Sequence, residues 1–153
     1  SSLLKKYLDL EEKYKIKDNT TFVNFMKKSQ NIFDNLKNFI IEKKDLGLNI
    51  AGYGATAKST TTLNYMGLDN KYISCIYDST PSKIGKLSPG THIPIKDPSN
   101  LKSDKPDFII LFAWNHKDEV IKKEKLNTVN SKWIEYRTDV NKCRAKFDVP
   151  GKY

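Results

Sequence analysis

Residues 49 to 67, NIAGYGATAKSTTTLNYMG, place two glycines, a lysine and a row of hydroxyls where a short apolar run gives way to a helical pattern. Gly52, Gly54 and Ala57 spell G-x-G-x-x-A, and Asp78 closes the next apolar run 26 residues after Gly52. This is the dinucleotide fingerprint in its strand-turn-helix setting. Its first glycine permits a tight turn, its second lets a phosphate approach the backbone through Gly54 and Ala55, and its small third residue lets helix and sheet pack closely. Unpaired N–H groups at the start of the helix attract an anion. Lys58 adds a countercharge, and Ser59 and Thr60 add donors. A turn that binds nothing is the competing reading. The glycines then only make the corner, and Asp78, followed by Ser79-Thr80-Pro81, satisfies local N–H groups in an Asx-type turn instead of a ribose.

The elements that must hold these groups follow from periodicity. Residues 3 to 15 place Leu4 and Leu8 on one side of a short charged helix. Phe22, Met26, Ser29, Phe33, Leu36 and Ile40 then recur at spacings of three and four, which predicts a longer helix capped by Gly47. Leu48 to Ala51 reads as a strand, and Ala57 to Met66 as the helix after the glycine turn. YISCIYD, 72 to 78, is a second strand, and THIPI, 91 to 95, a third whose prolines demote it to an edge. PDFIILFAW is apolar without alternation, as expected of a strand covered on both faces, and is expected at the sheet centre. A helix from about His116 to Lys125 and a strand at Lys132 to Tyr136 complete a β-α-β pattern. The expected fold is α/β: a Rossmann-like open parallel sheet with helices on both faces, preceded by N-terminal helices. Residues 1–47 read as N-terminal helices, 48–140 as the sheet domain and 141–153 as a tail without usable period.

Composition bounds the partners. The net charge is +9, yet only Arg137 and Arg144 of the 27 basic residues are arginine, and the lysines are scattered. Nucleic-acid readers rely on arginine for bidentate and stacking contacts, so this balance points away from nucleic acid. No run approaches the length of a membrane span, and no signal-peptide pattern opens the chain. With Cys75 and Cys143 far apart and no disulfide framework, the expectation is a cytoplasmic protein.

In an open parallel sheet, ligands bind beyond the carboxyl ends of the strands, where the strand order reverses. Trp114, Asn115 and His116 follow the apolar run on that same edge as the glycine turn and Asp78, so the motifs are expected to converge on one cleft. An aromatic face, an amide and an imidazole suit a sugar or base. The alternatives are that Trp114 covers the sheet end, that Asn115 caps the following helix, and that Asp118 and Glu119 simply complement its dipole. Two histidines, His92 and His116, are too few for a metal site.

The stretches GYGATAKSTTTLNYMGL, IYDSTPSKIGKLSPGTHIPI and PDFIILFAWNHKDEV, from Gly52 to Val120, resemble three consecutive blocks of the C-terminal domain of the sugar C-methyltransferases. Gly52, Tyr53, Gly54 and Lys58 match the first block, Asp78, Lys83 and Gly85 the second, and Trp114, Asn115 and His116 the third. The resemblance implies a nucleotide-linked sugar as ligand, bound near these residues. It also implies that S-adenosylmethionine and zinc belong to a full-length enzyme, on an N-terminal methyltransferase part absent here, to which the helices of residues 1–47 would be the connector. The domain would then hold no cofactor and no catalytic residue of its own. A small NAD(P)-binding Rossmann module, or a fragment of an oxidoreductase, is the other reading.

Overall fold

The computed structural model describes residues 2–128 and 130–136. The expected tail, 141–153, and the end of the expected sheet domain lie outside them. In chain order the elements are α1 (Ser2–Lys13), α2 (Asn19–Asp45), β1 (Ile50–Tyr53), α3 (Ala57–Met66), β2 (Ile76–Tyr77), β3 (Ile95–Lys96), α4 (Leu101–Asp104), β4 (Phe108–Leu111), α5 (Lys117–Glu124) and β5 (Lys132–Ile134). The strands form one parallel sheet in the order β3-β2-β1-β4-β5. The chain therefore moves outward from β1 to β3, returns across β1, and moves outward again to β5. The order reverses between β1 and β4, which makes the carboxyl end of that strand pair the natural place for a ligand.

Alternation along each strand sends its side chains to two different cores. Ile50 of β1, Ile76 of β2 and Ile110 of β4 meet Leu36 and Ile40 of α2 and Leu63 of α3 on one face. Ala51, Tyr77 and Ile109 meet Leu101 of α4 and Val120 of α5 on the other. Helices thus cover both faces, as the unalternating apolar strands require.

The apolar stripe of α2 changes its surroundings along its length. Phe22 and Met26 are exposed, Ser29 and Phe33 are half-buried, and Leu36 and Ile40 are sealed in the core. Local chemistry sets the ends of the helices. Asp18 accepts the Thr20 N–H at 2.9 Å to start α2. Thr56 and Ser59 form a reciprocal capping box at α3, and Gly67 closes it in the left-handed conformation.

The second strand keeps only Ile76–Tyr77 of the run 72–78, the third is Ile95–Lys96 rather than 91–95, and three larger expectations need correction. The first strand covers Ile50–Tyr53 rather than Leu48–Ala51, so Gly52 is a strand residue and the turn begins at Gly54. Pairing on both sides, Gly52 with Ile76 and with Ile110, outweighs glycine's weak strand preference. The central strand is β1, and the more apolar β4 sits one place off centre, between β1 and β5. A short helical crossover, a 3-10 turn at Pro98–Asn100 running into α4, joins β3 to β4 where none was expected. Its only buried apolar anchor beyond Pro98 is Leu101, too little for a period to show. Among the described residues no helix is long and apolar enough to cross a membrane.

Candidate functional site

The glycine turn is built from both sides of the sheet edge. Gly52 lies under the Phe112 ring: a Cβ there would stand 2.7 Å from Phe112 Cε2. Its missing side chain therefore serves packing within the α2–α3 core. Gly54 has φ +93°, and a Cβ on it would stand 2.7 Å from Ala113 Cβ and 3.0 Å from Ala113 N. The space that Gly54 leaves is filled by the residue that follows Phe112. The backbone conformation and the close approach both demand glycine, but for a neighbouring strand end.

Asp78 holds the other side of the turn. Its Oδ2 accepts the Ala55 N–H at 2.8 Å and its Oδ1 the Thr80 N–H at 2.9 Å. Lys83 Nζ donates to Ala55 O at 2.8 Å and to Asp78 Oδ2 at 3.2 Å. Burial pushes the Asp78 carboxyl up, but the Thr80 hydrogen bonds and Lys83 outweigh it and leave the group below its ordinary value. Both oxygens are thus engaged within the turn, as in the local-turn reading. Lys83 stands out in the sequence only through the second block, and its role in pinning the turn is visible only in three dimensions.

Of the N–H groups around the turn, Gly54 donates to Tyr77 O, Thr56 to Ser59 Oγ and Ser59 to Thr56 Oγ1. Those of Ala57 and Lys58, at the first turn of α3, have no acceptor among the described residues. These N–H groups sit three and four residues beyond Gly54.

The expected single cleft is two recesses. Trp114 is half-buried and packs against both cores, standing between them on the carboxyl edge. On the α5 side is a polar recess of about 390 Å³, with Gly54, Asp78, Lys83, His116, Glu119 and Lys123 in its walls. His116 Nδ1 lies 3.6 Å from Glu119 Oε2, both side chains being largely exposed. On the α2–α3 side is a larger groove of about 840 Å³ whose walls include Phe25, Phe33, Lys58, Trp114 and Tyr136. Lys58 Nζ rests 4.8 Å from the centroid of the Trp114 ring, a cation–π contact. Lys58 and Trp114 thus belong to the groove, while Asp78 and His116 belong to the recess.

Tyr53 points to the α5 face, where it is buried and donates to Glu124 Oε1 at 2.9 Å. Asn115 lies exposed within a 3-10 turn, Trp114–His116, and does not cap α5, whose cap position is His116. The groove residues of α2 lie within the stretch expected to be a connector. Ser29, a small polar residue inside an apolar stripe, was the one available signal that this stripe does not pack uniformly. Among the described residues no three His, Cys, Asp or Glu side chains gather into a set able to hold a metal ion.

The chain is 40% identical over 79 residues to the C-methyltransferase NovU of Streptomyces niveus, a match that covers 52% of this chain and 19% of that protein. The family of C-methyltransferase C-terminal domains matches residues 1–147, so both N-terminal helices fall within the match along with the sheet. The chain belongs to the C-methyltransferase C-terminal domain family.

Proposed function

We propose that this domain holds a nucleotide-linked sugar for methyl transfer carried out with another part of a full-length enzyme, and is not catalytic alone. The observation that carries the reading is the positively biased carboxyl edge at the β1/β4 reversal. There Lys58, the unengaged N–H groups of Ala57 and Lys58, and the Trp114 ring stand together beside an open groove. Gly52, Tyr53, Gly54, Ala55 and Asp78 build the corner that places them, with Asn115 and His116 on its rim.

The family implies S-adenosylmethionine for the full-length enzyme. The residues present do not fit that donor at the fingerprint: Asp78, the acidic side chain at the end of β2, is consumed by Ala55, Thr80 and Lys83, and Ala113 fills the space beside Gly54. The same two facts weigh against NAD(P) at this turn. A partner domain carrying the donor is supported by the apolar surface that α1 and the start of α2 present to solvent, including Leu3, Tyr7, Leu8, Phe22, Phe25 and Met26.

Calorimetric titration with thymidine diphosphate is expected to show binding. Lys58→Ala is expected to weaken it by roughly 1 to 3 kcal/mol, the range for a lost charge-assisted hydrogen bond, and to reduce its salt dependence. Equal affinity of the two proteins at low salt removes Lys58 from the site. No affinity at millimolar nucleotide removes the reading itself. The chain mixed with S-adenosylmethionine and a thymidine-diphosphate-linked keto-sugar is expected to give no methylated product by mass spectrometry; turnover above background would place the chemistry here after all.

A further inference from the structure

Resting on the nucleotide reading, we infer that the groove between α2 and α3 takes the aromatic ring of the nucleotide, and that the polar recess beside α5 does not. Charge distinguishes the two. None of the residues lining the groove is acidic and one of them, Lys58, is a cation. The recess contains Asp78 and Glu119 in its walls, and one of its lysines, Lys83, is already paired with Asp78. A diphosphate entering the recess meets carboxylates at close quarters, whereas one at the mouth of the groove meets Lys58 and two free N–H groups.

Shape and surface agree. Pockets for ligands of this size run from about 300 to 1,000 Å³ and combine apolar walls with a few polar groups. The groove, at about 840 Å³, has four aromatic rings, Phe25, Phe33, Trp114 and Tyr136, with hydroxyls from Ser29 and Thr61 among them. Phe33 and Tyr136 also lean on each other, with centroids 6.5 Å apart, and Tyr136 OH lies 3.3 Å from Thr62 Oγ1, so that wall is built rather than incidental. Flat π-faces beside hydroxyls suit a heterocyclic base, which stacks through its faces and hydrogen-bonds through its edges. Lys58 beside the Trp114 ring, with the other rings in the same walls, suits a ligand that carries both an anionic group and an aromatic ring.

The two tryptophans make the test direct. Trp114 lines the groove, whereas Trp133 packs against Tyr53 in the α5-side core, with centroids 5.5 Å apart. In protein labelled with ¹⁵N at the indole and imidazole nitrogens, assigned through Trp114→Phe and His116→Gln, thymidine diphosphate is expected to move the Trp114 signal and leave that of Trp133 in place. Ser29→Phe adds a ring to the groove from a half-buried position on α2, where it need not disturb the core. It is expected to weaken thymidine diphosphate at least tenfold while leaving pyrophosphate, which has no ring, unchanged. Thymidine diphosphate that binds with Trp114 still and Ser29→Phe indifferent, and shifts His116 instead, overturns the groove assignment but preserves the nucleotide reading. Absence of binding to the unaltered chain overturns both.

Discussion

Gly54→Ala is expected to destabilise the domain by about 2 to 5 kcal/mol, a sum of roughly 1 to 2 for a left-handed backbone and 1 to 3 for overpacking. The cause is the strand end of β4: the new methyl would stand 2.7 Å from Ala113 Cβ with the backbone at φ +93°. Neither neighbour has a flexible tip that can swing away, so the turn or the end of β4 must shift. A branched side chain such as valine is worse. Ala113→Gly removes the methyl collision but neither the positive φ nor the 3.0 Å approach to Ala113 N. In a double-mutant cycle read by urea unfolding, the double variant is therefore expected to lose at least about 1 kcal/mol less than the sum of the single variants, the coupling normal for side chains in contact. Additive losses would show that the glycine is kept for something other than Ala113, the positive φ first among the alternatives.

How much of this was legible in the sequence depends on how far each decision reaches along the chain. The bounds of α3 are those expected, because its start and stop are local: Thr56 and Ser59 cap it and Gly67 ends it. The first strand was displaced because glycines read as a turn, whereas the ladder from Ile50 to Tyr53 is set by β2 and β4, 23 or more residues away. The place of β4 was misjudged for the same reason. Apolarity reports that a strand is covered on both faces, and both β1 and β4 are; which of them lies in the middle is decided by the crossover through α4, which only Leu101 and Pro98 anchor.

The candidate site divides along the same line. That the glycine turn, Asp78 and Trp114 share the carboxyl edge follows from strand-turn-helix order, and it holds. That the edge is split in two does not follow, because it depends on Trp114 standing between two cores and on α2, 20 or more residues upstream of the turn at Phe25 to Phe33, supplying the groove's far wall. Sequence separation hid those residues from a motif-based reading. Their arrangement became visible only once α2 was seen lying against α3.

Asp78→Asn is expected to cost about 2 to 4 kcal/mol at neutral pH, since it sets an amide against donors that now share a carboxylate. Ala55 N–H and Lys83 Nζ both point at Oδ2, and Thr80 N–H points at Oδ1, so no flip of the new amide satisfies all three. The effect has a definite pH signature. Burial opposes the charged form of Asp78, yet the hydrogen bonds from Thr80 and the Lys83 cation prevail and the folded carboxyl titrates below its unfolded value. A depressed carboxyl contributes stability that is complete above the unfolded pKa, near 4, and is lost as pH falls through the folded one. The unaltered chain should therefore lose this contribution below about pH 4, while Asp78→Asn has no such proton to bind. Urea midpoints of the two proteins should differ most near neutral pH and converge as the pH is lowered. Lys83→Met supplies the control, because removing the cation should move the loss of stability to higher pH without abolishing it. A gap between the unaltered chain and Asp78→Asn that stays constant into acid would mean that the carboxylate's charge does not hold the turn, and that the Ala55 and Thr80 contacts matter only as neutral hydrogen bonds.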